Sequence, residues 1–161
     1  MKKRWLTLLT ALSLSAFAGS LPDYKTLCAD FPDVSGWKIT KCDGMKMTNP
    51  MFGEVVTATK SYTKGGSRAD ISILSGMQAM MMWAPYQSGT TMESDDELMK
   101  VETIDGFPVG IGYNKKDRSG GVVVQIAPNA VLAVTFTDMS WKEALELAKR
   151  FDWKKLHALF Q

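Results

Sequence analysis

The sequence predicts an α+β fold: one antiparallel β-sheet of about six to seven strands, flanked by an N-terminal helix, a short middle helix and two C-terminal helices. Three observations predict it. Residues 106–137 hold three consecutive runs of two-residue periodicity, Phe107 to Tyr113, Val122 to Ala127 and Ala130 to Thr137, which is the pattern of neighbouring strands. Tight turn pairs, Gly65-Gly66 and Pro128-Asn129, separate apolar runs and point to antiparallel hairpins. Helical spacing of apolar residues occurs only outside these runs, near residues 24–31, 77–84 and 141–160.

In chain order, residues 1–18 read as a targeting segment. Lys2, Lys3 and Arg4 precede a mostly apolar stretch from Trp5 to Phe17, and Ala16-Phe17-Ala18 offers small residues where signal peptidase reads. The stretch is too short and too rich in hydroxyls to span a membrane, which takes about 20 apolar residues. The expected product is a single exported domain, residues 19–161, cleaved after Ala18 and periplasmic or secreted. The 19 Lys and Arg against 17 Asp and Glu become 16 against 17 once the three basic residues of the segment leave. A net charge near −1 without a clustered basic face excludes nucleic acid as the expected partner.

Ser20 and Asp23 are placed to cap a first helix whose apolar stripe is Tyr24, Leu27, Cys28 and Phe31; Pro32 ends it. Trp37 to Cys42 is expected to start the sheet. Cys28 and Cys42 are the only cysteines, and in an oxidising compartment they are expected to form a structural disulfide from the first helix to the first strand. Their spacing is not that of a CxxC redox pair.

Residues 43–53 read as a loop. Glu54 to Thr63 and Arg68 to Leu74 read as a hairpin with one polar face, hence one side in water. Met77, Met80, Met81 and Ala84 follow helical spacing, and Pro85 ends that segment. Ser94 and Glu97 have capping-box spacing for one short helical turn. Gly110 and Gly112 share one face of a strand, which lets a helix or an aromatic ring approach closely; Trp141 or Trp153 is the expected ring. Ser140 with Glu143, then Asp152, cap the two C-terminal helices, with Phe151 and Leu156 as a hydrophobic staple on the second.

Chemistry is sparse. The single histidine, His157, falls on the last helix without a partner in sequence, and Ser119 lies in a turn rather than a nucleophile elbow. Glu93, Asp95, Asp96 and Glu97 lack the spacing of a calcium loop and read as a solvated run. A non-enzyme is expected.

Methionine is the compositional anomaly: the sequence has eleven, and eight of them fall between Met45 and Met92. Three readings stay open. Methionine fills irregular cores, it makes adaptable apolar contact surfaces, and its soft thioether suits Cu(I). The expectation drawn is a binding or accessory domain without catalysis or cofactor. Its contact surface would be Met77, Met80, Met81, Met82, Trp83 and Tyr86, taking a protein or a small apolar ligand. The alternative is a Cu(I)-handling protein using Met45, Met47, Met77, Met80 and Met81.

Overall fold

The computed structural model describes residues 21–161; the targeting segment 1–18, its cleavage point and Ser20 lie outside them. The elements are α1 (Tyr24–Ala29), β1 (Lys38–Ile39), β2 (Asp43–Asn49), β3 (Gly53–Lys64), β4 (Ser67–Ser75), α2 (Met77–Trp83), a 3-10 turn (Ala84–Tyr86), β5 (Met92–Glu93), β6 (Glu97–Ile104), β7 (Phe107–Asn114), β8 (Ser119–Ala127), β9 (Ala130–Thr137), α3 (Trp141–Lys149) and α4 (Trp153–Leu159). All strands join one antiparallel sheet in the order β1-β3-β4-β9-β8-β7-β6-β5, with β2 also on β3. The α+β class and its four helices are as predicted; the sheet has nine strands rather than six or seven.

Alternation sorts every strand into two faces. On the first, Val56, Ala58, Tyr62, Ile71, Ile73, Val109, Ile111, Val122, Val124, Leu132 and Phe136 are buried with Leu27 of α1, Ala144 and Leu147 of α3, and Trp153 and Leu156 of α4. On the second, Val123, Val131 and Ala133 are buried beneath Ala79 of α2. β8 and β9 are thus covered on both sides, which is why their sequences are apolar or small in both phases. Toward β3, the second face is open and reads Thr57, Thr59, Ser61 and Asp70, the polar side expected of the first hairpin.

The predicted caps hold two of the helices. Ser140 and Glu143 form a reciprocal capping box on α3, and Asp152 accepts from Lys155 N at the start of α4. At α1, Asp23 alone is the described cap, accepting from Lys25 N at 2.8 Å. Cys28 and Cys42 are joined by a disulfide. It ties α1 to the chain entering β2 rather than to β1, which is only two residues long.

Three expectations are corrected. Residues 43–49 form strand β2, not a loop, because β3 runs on past β1 and its free side takes a partner. Ser94 and Glu97 do not begin a helix. Ser94 Oγ accepts from the Asp96 and Glu97 backbone N–H groups, the bonds of a helix cap, but they close a tight turn between β5 and β6. The ring over the glycine face is Tyr86, not Trp141 or Trp153. Those tryptophans belong to the opposite face, where Trp153 Nε1 donates to Ala148 O at 2.7 Å and Lys100 lies over the Trp141 ring at 4.2 Å.

Candidate functional site

The site is built by one segment, α2 and the 3-10 turn after it, laid across the second face of the sheet. Gly76 opens it with φ of 81°, a backbone conformation that glycine adopts without strain. Its N–H donates to Asn129 O at 2.8 Å, fixing the helix start to the β8–β9 turn. A Cβ at 76 would lie 3.1 Å from Val55 Cγ2, so the helix begins pressed onto β3. Ala79 supplies the small buried contact in the middle, and Met82, Trp83 and Tyr86 pack beside it against Leu74, Val123, Val131 and Ala133. At the far end Tyr86 lies on Gly110 and Gly112, two strand positions with no Cβ to keep the ring away. Trp83 and Tyr86 touch, their ring centroids 5.8 Å apart.

That arrangement gives α2 two unlike sides. Ala79, Met82 and Trp83 face the sheet, whereas Met77, Met80 and Met81 are 53%, 60% and 68% exposed. Of the three open readings of these methionines, core filling is therefore excluded for Met77, Met80 and Met81. Ordinary folding leaves single apolar residues on surfaces, and here three stand side by side on two turns of one short helix.

Register extends this apolar surface beyond the helix. Residues directly opposite in an antiparallel pair share a face. Met45 is opposite Thr57 and Thr57 opposite Leu74, while Met47 is opposite Val55, the residue under Gly76. Met45 and Met47 therefore stand on the same face as α2, on its β3 flank, about half exposed. On the other flank Met99 is opposite Gly112 and Met92 opposite Met99. Met51 and Phe52 project from the β2–β3 turn at its rim. Among the described residues, the exposed large apolar side chains are seven methionines and Phe52. The five methionines proposed for a soft metal are divided between two elements, Met45 and Met47 on β2 and the other three on the outer side of α2.

The histidine and the acidic run have partners of their own. His157 is half-buried, its Nδ1 at 2.7 Å from Ile126 O and its Nε2 at 2.6 Å from Gln161 Nε2. Both ring nitrogens thus have a hydrogen-bond partner. Glu93 of β5 pairs at 3.0 Å with Lys115, which lies in the β7–β8 turn. Among the described residues, no three His, Cys, Asp or Glu side chains converge to hold a metal ion, and no helix is long and apolar enough to cross a membrane. Compared with known proteins, the chain matches no family model, no curated protein and no solved structure.

Proposed function

We propose that this chain is an exported, non-enzymatic binding or accessory domain whose contact surface is the outer side of α2 with Trp83 and Tyr86 at its edge. One observation carries the reading. Met77, Met80 and Met81 present flexible thioether side chains to solvent from a helix that is otherwise anchored through Ala79, Trp83 and Tyr86. A fixed backbone bearing adaptable apolar side chains suits contact with apolar partners of imperfectly matched shape. The disulfide fits an oxidising compartment.

Titration of the oxidised chain, carrying 13C-methyl methionine, with a panel of short apolar peptides tests this. The Met77, Met80 and Met81 methyl signals should shift together, and Met80→Glu with Met81→Glu should abolish the shifts without altering the melting temperature. Peptides that move only signals elsewhere, or none, overturn it.

A Cu(I) reading has one observation of its own, the placing of Met45 and Met47 two residues apart on one open sheet face. Soft thioethers suit that ion. Adding Cu(I) against a competing chelator to the same labelled sample separates the readings: tight stoichiometric binding lost in Met45→Leu with Met47→Leu would favour metal handling.

A further inference from the structure

We infer that β2 is a self-pairing edge and that two copies of this chain join through it, antiparallel, about a two-fold axis at Lys46. The inference goes beyond the α2 reading and does not depend on it. β2 is bonded to β3 along one side, and among the described residues no strand lies along its other side. A strand in that position offers backbone N–H and C=O groups that another extended chain satisfies, so the class of occupant follows from the hydrogen bonds required.

Folded proteins ordinarily guard such an edge with proline, a bulge, a charged side chain (lysine above all, inward-pointing ones included) or a very short strand. The opposite edge of this sheet is guarded in that way: β5 is two residues long, and Lys115 and Glu93 form an ion pair beside it. Of these devices β2 has one, a lysine at its centre. Its seven residues pair with β3 from Asp43 opposite Thr59 to Asn49 opposite Gly53 without a register shift, and none is proline. That lysine is paired within its own chain, Lys46 Nζ lying 2.9 Å from Glu54 Oε1 and 3.0 Å from Leu21 O, so its charge is already compensated when a second strand approaches.

A second copy is the favoured occupant because the strand is self-complementary. Residues 44–48 read Gly-Met-Lys-Met-Thr, a near palindrome about Lys46. Antiparallel pairing about that residue sets Met45 opposite Met47 of the second copy, and Met47 opposite its Met45. The four half-exposed thioethers then cover one another on one face. Asp43 falls opposite Asn49 of the second copy, so no acidic residue meets an acidic one. The two Lys46 side chains meet on the other face, each already carrying its own Glu54 as counter-ion. The two sheets become one, and the methionine surfaces become continuous.

Sedimentation equilibrium of the oxidised mature chain, up to about 1 mM, should give twice the monomer mass, with the dissociation constant raised at least about tenfold by Met45→Lys combined with Met47→Lys. Both positions are about half exposed, so the melting temperature of the monomer should not fall. Register is read by cysteine cross-linking with the native disulfide verified by mass mapping. Lys46→Cys should give a covalent dimer, whereas Thr48→Cys, which falls opposite Gly44 of the second copy, should not. A monomer at every concentration, a dimer indifferent to the double substitution, or cross-linking through position 48 instead of 46 overturns the proposal.

Discussion

The ring of Tyr86 lies directly on Gly110: a Cβ built at that glycine would stand 2.5 and 2.6 Å from the two Cδ atoms of the ring. Alanine usually stabilises an extended glycine position by restricting the unfolded chain, but here the ring has to move. Gly110→Ala should lower stability by about 1–3 kcal/mol, read as a shift in the urea midpoint. At Gly112 an added Cβ would meet only the Tyr86 hydroxyl, at 2.9 Å, so Gly112→Ala should cost less. In a double-mutant cycle, Tyr86→Ala should erase most of the Gly110→Ala penalty.

Tyr62 supplies an alkaline limit to stability. It is buried and donates its hydroxyl to Pro32 O at 2.8 Å. Burial, with the Asp33 charge in second place, pushes its ionisation up to about 12 from the usual 10. The neutral form is favoured by folding, so the contribution is complete below pH 10 and is lost as pH rises through 12. Denaturation at pH 8 and pH 11 should show the decline in the native chain. Tyr62→Phe should flatten it while lowering stability at pH 8 by about 1 kcal/mol, through the unpaired carbonyl.

Reducing the Cys28–Cys42 bond opens a loop with a sequence separation of 14. The chain-entropy estimate for such a loop is about 3 kcal/mol. A thiol reductant should lower the thermal midpoint accordingly, and Cys28→Ser with Cys42→Ser should match the reduced protein. A reduced chain as stable as the oxidised one would show that the contacts of α1 with β2 and β3 suffice.

The two sides of α2 should respond differently to substitution. Met80→Glu and Met81→Glu should change stability by no more than about 0.5 kcal/mol, the usual range for exposed sites. Trp83→Ala, which removes a ring packed against the sheet, should cost about 2–4 kcal/mol. Urea denaturation of the three variants separates anchor from surface.

The central strands were legible because their side chains carry the pattern of their environment. Residues 107–137 alternate cleanly, and the doubly apolar β8 and β9 lie between α2 and the C-terminal helices. β2 was not legible. Its residues, Asp-Gly-Met-Lys-Met-Thr-Asn, have little strand preference of their own, and the strand exists because β3 offers an edge to pair with. The Ser94 and Glu97 spacing predicts a helix start that does not form, since the same hydroxyl-to-amide bonds close a turn equally well.

For the candidate site, composition alone determined that methionine is concentrated between residues 45 and 92, and periodicity alone determined that Met77, Met80 and Met81 share one side of a helix. Two glycines on one face of β7 likewise announced an aromatic ring without saying which. Tertiary structure decided the rest: that the ring is Tyr86, that Ala79 and Met82 rather than Met77, Met80 or Met81 meet the sheet, and that Met45 and Met47 share a face with α2. The physical reason is that a local pattern fixes only which side chains point together within one element. Which element lies beneath them, and on which face two distant strands agree, depends on register and chain path, where a shift of one residue would send Met45 and Met47 to the opposite side.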